Sequence, residues 1–189
     1  MEFTFFWGER SPLSQWHRAV FALLEPWEGA PQRRVIKFGN AEQWMMAAKA
    51  AHFRDQTSYL RLLSTPAPQR AKALGRLVTP FDPAEWSRVA RGYVRTGNLA
   101  KFSQNQTMRE HLLATGNSLI VEASPYDRIW GIGLRADHPD ARNPARWRGT
   151  NWLGEVLMDV REALGGAPAP ARAASGTLRQ PDSAAAASR

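Results

Sequence analysis

The sequence predicts an α+β fold in which helices outnumber a few short strands. Several segments place apolar residues at the three- and four-residue spacing of amphipathic helices, and capping residues, glycines or prolines mark their ends. Between them lie three short runs of the aromatic and β-branched residues that strands favour. At 189 residues, the chain is long enough for one domain with a sizeable core.

The three strand candidates are short, and each stops at a turn. Phe3 to Trp7 is aromatic and runs into a Gly-Glu-Arg-Ser-Pro break. Arg34 to Phe38 is followed by Gly39-Asn40, and Leu119 to Val121 continues towards a Ser-Pro turn.

The most clearly marked helix is predicted from Ala41 to about Arg54. Asn40 is a suitable N-cap, and Gln43, three positions later, completes a capping box. Glu42 lies in the first turn, where the helix dipole favours a carboxylate, and Lys49 follows seven residues later on nearly the same face. The carboxylate of Glu42, the apolar side chains of Met45 and Met46, and the amine of Lys49 would then lie along one helix face, which would form one wall of a site. The alternative is an exposed Glu42 in an ordinary helix start and a solvated Lys49.

Similar signals predict the remaining helices. Gly116 is a natural C-cap residue, and Gly165-Gly166 closes the last helix. The predicted helices run over Tyr59 to Leu63, over Pro68 to Val78, from the N-cap Asp82 through Trp86 to Tyr93, from Lys101 through Leu113, and from Asn151 to Leu164.

The stretch from Ser118 to Gly133 has the order of a pocket floor: strand, turn, acid, aromatic ring and glycine. Asp127 stands three residues before Trp130, and Gly131 follows. Glycine beside a bulky ring lets the backbone approach a ligand closely. The alternative is a buried strand that ends in a loop, with Asp127 accepting hydrogen bonds from local backbone donors.

Composition narrows the class of protein. The chain has no cysteine, which excludes disulfides and thiolate metal sites, and its four histidines lack paired metal-ligand spacing. We therefore expect no metal and no cofactor. No apolar run approaches the roughly 20 residues that span a bilayer, and the acidic, aromatic N-terminus is unlike a signal peptide. A soluble cytoplasmic protein that does not bind membranes is the simplest expectation.

The net charge of +8 comes mainly from arginine, which supplies 21 of the 25 basic residues. Arginine suits bidentate contacts to phosphate, so the excess indicates an anionic ligand, a nucleotide or nucleic acid. A genome rich in Ala, Arg and Pro codons would give the same bias. Residues 166–189 are mainly Ala, Pro, Ser, Gly and Arg, which predicts a disordered tail after a folded domain of residues 1–165.

A series of motifs extends over roughly residues 3 to 164. They are Phe5-Phe6-Trp7-Gly8, Ser11-Pro12-Leu13-Ser14, Ala41-Glu42-Gln43-Trp44, Ala48-Lys49, Gly75-Arg76, Trp86, Lys101-Phe102, Leu112-Leu113-Ala114-Thr115-Gly116, Ile120-Val121-Glu122-Ala123-Ser124-Pro125, Asp127, Ile129-Trp130-Gly131-Ile132-Gly133, Trp147-Arg148-Gly149, Asn151, Leu153-Gly154, Leu157-Met158 and Val160-Arg161. In this order and spacing the motifs resemble the NADAR family, also called YbiA-like. Two departures from the family occur near the N-terminus: Gln15 stands where members commonly carry Asn, and Trp16-His17 replaces an aromatic pair.

The resemblance implies a single, mostly helical α+β domain and an N-glycosidase that hydrolyses a ribosyl–nitrogen bond. Members act on riboflavin-pathway intermediates or on ADP-ribose attached to guanine in nucleic acid. The family's key positions match Glu42, Trp86 and Asp127. The resemblance also implies, for one branch of the family, a lysine that forms a Schiff base with opened ribose, and Lys49 is the candidate here.

These residue types suit N-glycoside cleavage, which passes through an oxocarbenium-like state. Glu42 and Asp127 can divide the tasks of stabilising that charge and activating water, with Lys49 as the third catalytic candidate. The substrate-binding candidates are Trp86 and Trp130 for stacking on the base, Arg76 and Arg148 for phosphate, and Gly131 and Asn151.

Two other classes of function stay open. A non-catalytic module would bind ADP-ribose or a NAD-like ligand without consuming it, and Glu42 and Asp127 would be dispensable. A nucleic-acid-binding accessory factor would bind unmodified DNA with steep salt dependence. The expected partner is a phosphorylated ribosyl small molecule or ADP-ribosylated nucleic acid.

Overall fold

A computed structural model describes residues 1–28, 32–168 and 170. The described residues form six α-helices and four short strands, which confirms the predicted mostly helical α+β class. The strands are β1 Phe3–Phe6, β2 Phe21–Leu24, β3 Val35–Phe38 and β4 Leu119–Glu122. The helices are α1 Ala41–His52, α2 Gln56–Leu63, α3 Pro68–Gly75, α4 Pro83–Gln104, α5 Gln106–Leu113 and α6 Trp152–Ala163.

The chain divides into two compact units. Among the described residues, the terminal unit comprises residues 1–14, 107–168 and 170. The central unit comprises Gln15–Gln106.

In the terminal unit, β1 and β4 pair in parallel, with Phe3 opposite Leu119 and Phe6 opposite Glu122. Helix α6 packs against β4. The first three residues of β4 are buried, as expected for a strand with apolar side chains on both faces. The predicted strands at residues 3–7 and 119–121 are therefore confirmed.

In the central unit, α1 packs against α2, α3 and α4. Its alanines let these neighbours approach closely: Ala47, Ala48 and Ala50 are fully buried. Strands β2 and β3 form an antiparallel pair beside these helices, with Phe21 opposite Phe38 and Leu24 opposite Val35.

The predicted cap of α1 is confirmed with one difference. The Asn40 side chain accepts a hydrogen bond from the Gln43 backbone N–H at 2.9 Å. The Gln43 Oε1 in turn accepts from the N–H of Gly39 at 2.8 Å, one residue before the cap residue itself. Two donors at the start of α1 are thus satisfied by side chains.

Other boundaries correct the sequence predictions. Lys101 and Phe102 lie inside the 22-residue helix α4 and do not begin the next helix, which starts at Gln106. Helix α3 ends at Gly75, three residues before the predicted Val78. Strand β2 was not predicted. Its four residues are all apolar, so they lack the alternation of apolar and polar side chains that marks a half-buried strand.

Arg161, in the last turn of α6, holds the segment that follows the helix. Its buried guanidinium donates from Nε to the Ala167 carbonyl at 3.1 Å and from Nη2 to the Pro168 carbonyl at 3.4 Å. Nη1 donates to the Thr115 hydroxyl and the Ser118 carbonyl. Residues 166–168 of the predicted tail therefore contact the terminal unit, and almost all of the remaining tail lies outside the described residues. None of the described helices combines the length and the apolar character that crossing a membrane requires.

Candidate functional site

Lys49 is a buried amine on the inner face of α1. Its side chain is 9% exposed, and its Nζ donates a hydrogen bond to the Gly75 carbonyl, at the end of α3, at 2.8 Å. The Nζ also lies 3.9 Å from the centre of the Phe81 ring and 5.9 Å from that of Trp86. Burial lowers the pKa of Lys49 from its ordinary value to about 8. The neutral fraction of this amine near neutral pH is therefore larger than that of a solvated lysine.

Four aromatic rings surround the end of α1 and the start of α4. Phe53 contacts Phe81 edge-on at 5.2 Å and lies 6.4 Å from Trp86. Trp86 stacks on Tyr93, two turns further along α4, at 6.0 Å and 18°. Together with the amine of Lys49 these rings form an aromatic cluster, which contains the Trp86 predicted from sequence.

His52 connects α1 to this cluster. Its Nδ1 lies 3.2 Å from the Tyr93 hydroxyl and its Nε2 lies 3.0 Å from Oε1 of Glu85. Hydrogen bonds from Arg88, followed by that of His52, lower the pKa of Glu85. The imidazole thus fixes the position of Tyr93, and Tyr93 supports one face of Trp86.

Glu42 is also buried, in the first turn of α1. Its side chain is 6% exposed, and its backbone N–H donates to the Gln15 carbonyl at 3.1 Å. The alternative in which Glu42 is exposed and Lys49 is solvated is therefore wrong. Both side chains of the predicted wall lie in the protein interior, where electrostatic interactions are stronger than in water.

Gln15, one of the two departures from the family pattern, belongs to a buried amide pair. Asn98 donates from Nδ2 to the Gln15 Oε1 at 2.7 Å and to the Val94 carbonyl at 2.9 Å. The Gln15 Nε2 faces the sulfur of Met45 at 3.7 Å. The buried Oδ1 of Asn98 accepts no hydrogen bond from the described residues. Gln15 is thus held by its side chain and its carbonyl beside the start of α1.

Asp127 stabilises the loop that follows β4 in the terminal unit. Its Oδ1 accepts hydrogen bonds from the backbone N–H groups of Ile129 at 2.9 Å and Trp130 at 2.8 Å. The Ser124 hydroxyl accepts from the N–H groups of Tyr126 and Asp127. The alternative prediction, that Asp127 accepts hydrogen bonds from local backbone donors, is therefore correct for Oδ1. The catalytic role of Asp127 stays a prediction.

Gly131 and Asn151 occupy packed positions in the same unit. A Cβ at Gly131 would lie 2.8 Å from the Glu122 carbonyl oxygen, so this glycine is required by neighbouring backbone. Asn151 has a left-handed backbone with φ +56°, its Oδ1 accepts from the Glu122 N–H, and its Nδ2 donates to the Ile120 carbonyl. Its amide therefore bridges two residues of β4. Whether either residue also contacts substrate stays a prediction.

The other predicted binding residues differ in exposure. Trp130 is half-buried and meets the Trp152 ring edge-on at 5.7 Å. Arg76 caps the end of α3, directly after the carbonyl that accepts from Lys49, and its side chain is exposed. Arg148 is exposed as well, while its backbone N–H donates to the Ile132 carbonyl. Both guanidinium groups are accessible to an anionic ligand.

The structure brings Lys49 and Trp86 together, and Glu42 and Arg76 lie in the same central unit. The sequence predictions missed the Gly75 carbonyl, Phe53, Phe81, Tyr93 and the His52–Glu85 contact. One signal was available: His52 and Phe53 lie three and four residues after Lys49, on the same helix face. Among the described residues, no group of three or more histidines and carboxylates is placed to hold a metal ion.

Comparison with known proteins gives one family and one fold. The family model described as the NADAR domain matches residues 5–165. A protein of Acanthamoeba polyphaga mimivirus, named an N-glycosidase, is 44% identical over 126 residues, which cover 67% of this chain and 74% of that protein. The riboflavin biosynthesis protein PYRR of Zea mays is 31% identical over 123 residues, which cover 62% of this chain and 18% of that protein.

The NMR structure of the Escherichia coli protein YbiA has a similar fold. The match has a TM-score of 0.66 at 23% identity and covers 87% of this chain and 85% of that chain.

Proposed function

The chain belongs to the NADAR domain family, as its motifs indicated, and from this premise we propose that it is an N-glycosidase that hydrolyses a ribosyl–nitrogen bond. The proposed substrates are a phosphorylated ribosyl intermediate of riboflavin biosynthesis or ADP-ribose attached to guanine in nucleic acid. Relatives named for N-glycosidase activity and for riboflavin biosynthesis support this substrate range. The observation that carries the proposal is the buried amine of Lys49 on the faces of Phe81 and Trp86.

Lys49 is proposed as the nucleophile. With a pKa near 8, part of this amine is neutral and carries the free electron pair that attacks carbon. Attack of the amine at C1 of the ribose would break the bond to the base nitrogen, which takes up a proton, and leave a ring-closed ribosylamine on Lys49. Breaking the C1–O4′ bond, with the amine proton passing to O4′, would then open the sugar and form the Schiff base. Water then adds to the Schiff base, which releases the free ribose aldehyde and restores the amine.

Glu42 and Asp127 are proposed as the carboxylates that favour this chemistry. A buried carboxylate stabilises positive charge that develops on the ribose or takes a proton from water. For Asp127, the oxygen that does not cap the loop would serve this purpose. Trp86 and Trp130 are the proposed stacking surfaces for the base, Arg76 and Arg148 the proposed phosphate ligands, and Gly131 and Asn151 further proposed binding residues.

The reaction and the substrate are tested together. The protein is incubated with DNA carrying ADP-ribosylated guanine and, separately, with a ribosylaminopyrimidine phosphate, and the products are identified by mass spectrometry. Release of ADP-ribose with restored guanine in the DNA, or release of the free pyrimidine and ribose phosphate, supports the proposal and names the substrate. Tight binding without cleavage would indicate the non-catalytic ligand-binding module, and steeply salt-dependent binding to unmodified DNA alone would indicate the accessory factor.

The roles of the carboxylates are tested by removing charge while keeping shape. Glu42→Gln and Asp127→Asn should each lower single-turnover cleavage by roughly 100-fold or more, with little change in affinity measured by calorimetry. Asp127→Asn retains an oxygen that accepts from Ile129 and Trp130, so the loop should persist, whereas Asp127→Ala removes both the charge and the cap.

Matched controls separate these effects from a general loss of charge. Asp159 and Glu162 lie on α6 with exposed side chains, and Asp159→Asn and Glu162→Gln should cleave at the wild-type rate. Folded Glu42→Gln and Asp127→Asn variants that also cleave at that rate would remove both carboxylates from the mechanism.

A further inference from the structure

Two large aromatic side chains of the terminal unit remain in solvent. Trp7 is 50% exposed and Tyr126 is 70% exposed, and their ring centres lie 6.0 Å apart at an angle of 53°. Isolated exposed apolar residues are common on protein surfaces, but two adjacent large rings form a patch. Most aromatic residues of the chain are buried or half-buried, so this pair is an exception that packing does not explain.

The backbone places both rings beyond the same end of the β1–β4 strand pair. Parallel strands end on the same side, and the register places Phe6 opposite Glu122, so Trp7 and the segment up to Tyr126 leave the strands together. Gly8, with φ +82°, turns the chain directly after Trp7. The Ser124 hydroxyl fixes the Tyr126 N–H. The pair is therefore presented on ordered backbone.

The chemistry around the pair favours an anionic, planar ligand. Tyr126 directly precedes Asp127, the proposed catalytic carboxylate, and exposed Arg128 follows it. Exposed Arg10 lies three residues after Trp7. Exposed rings with exposed arginines close to them in the chain combine stacking faces with charges that can neutralise phosphate. The net charge of +8 draws the same class of ligand.

We infer that Trp7 and Tyr126 form a stacking subsite for a nucleobase that is part of the substrate but is not the base released. The inference rests on the proposed function only in assigning this second base to the substrate. Its chemistry is a base joined to phosphate, and it has two sources: the adenine of an ADP-ribosyl group, or a neighbouring base of a nucleic acid strand. Binding of either does not require cleavage.

The test uses unmodified ligands, so it is independent of hydrolysis. Calorimetry measures the affinity of the full chain for AMP, for ADP and for a single-stranded oligodeoxyadenylate of ten nucleotides. Trp7→Ala and Tyr126→Ala should each weaken binding by about 5- to 150-fold, the fold-change that corresponds to the stacking of one base. Trp7→Phe and Tyr126→Phe keep a ring face and should stay within about threefold of wild type.

A control variant and the separate ligands distinguish the possible outcomes. Leu77 in the central unit is 63% exposed, and Leu77→Ala should leave all three affinities unchanged. A loss for the mononucleotides in the alanine variants identifies adenine of a small ligand, whereas a loss confined to the oligonucleotide identifies a strand. No measurable binding of any ligand to wild type, or equal binding by folded alanine variants, overturns the inference. Cleavage that proceeds normally in both alanine variants, with unchanged KM, overturns it as well and leaves the proposed function intact.

Discussion

The two proposed catalytic groups with the best-defined surroundings, Lys49 and Asp127, acquire them in opposite ways. Every partner of the Lys49 amine comes from 26 or more residues away: the Gly75 carbonyl and the rings of Phe81 and Trp86. The backbone N–H groups that donate to Oδ1 of Asp127 lie two and three residues away, on its own loop. One site is made by packing helices together, and the other is made by a turn.

This difference decides what each group can do. Packing removes water from the amine, and the loss of solvation lowers its pKa to about 8, which enlarges its neutral fraction near neutral pH. A turn instead holds a carboxylate by hydrogen bonds from nearby backbone N–H groups, which fix its direction. The reactivity of Lys49 should therefore depend on residues far along the chain, whereas Asp127 should tolerate changes outside its loop.

The largest expected effect is the loss of the amine. Lys49→Met keeps an apolar stem of similar length and should lower turnover by about 100-fold or more, because the proposed nucleophile is absent. Lys37→Met, at an exposed position of β3, is the matched control and should keep full activity. Cyanoborohydride added during turnover should attach the sugar to Lys49, as seen by peptide mass analysis. Unmodified Lys49 together with full activity of Lys49→Met would exclude the Schiff base.

The pH profile tests whether packing really sets the protonation of this amine. A nucleophilic amine acts in its neutral form, so the single-turnover rate should rise about tenfold per pH unit below 8 and level off above it. The sign follows from burial, which disfavours the charged ammonium and lowers the pKa. A rate that continued to rise towards pH 10 would indicate a solvated lysine or another base.

The same contrast explains how much the sequence could predict. The cap of α1, the glycine stops and β4 depend on neighbours within a few residues, and these predictions are confirmed. The hydrogen bonds in the loop of Asp127 could also be predicted from sequence, because an aspartate commonly accepts from backbone N–H groups two and three residues later in a turn. The wall of Glu42 and Lys49 was predicted as one of two alternatives, since helix spacing shows which residues share a face.

What the sequence could not predict is what covers that face. The burial of Lys49 depends on the end of α3, the loop before α4 and the first turn of α4, and no local pattern indicates that these meet. The length of α4 was missed for a related reason. Gly97 and Asn98 weaken the helical signal, yet a side chain at Gly97 would overlap the Trp44 ring, so the glycine is required by packing.

A smaller effect should come from disturbing the helix contact that supports Lys49. A methyl group at Gly75 would overlap the sulfur of Met46 on α1. Gly75→Ala should therefore cost about 1–3 kcal/mol of unfolding free energy, measured by urea denaturation. It should also shift the pH profile of the reaction, because the Gly75 carbonyl that accepts from Lys49 moves.

Gly92, exposed on α4 with no atom within 4 Å of the added carbon, is the control. Gly92→Ala should leave the pH profile unchanged and stabilise the protein slightly. Equal stability and equal profiles in both variants would contradict the role given to packing.

The smallest expected effect tests whether the terminal unit is complete at residue 165, where the composition change places the domain end. Arg161 is fully buried, and two of its guanidinium nitrogens donate to the carbonyls of Ala167 and Pro168. A chain that ends after residue 165 loses both acceptors, and an unsatisfied buried donor costs free energy even when its other contacts persist. We expect that chain to be about 1–2 kcal/mol less stable to urea than one ending after residue 170.

The longer truncation should match the full-length protein, because every described contact of Arg161 is retained. The asymmetry between the regions predicts one further result: the shorter chain should keep the pH profile of Lys49, whose partners all lie in residues 75–86. Equal stability of the two truncations would place the domain end at residue 165 after all.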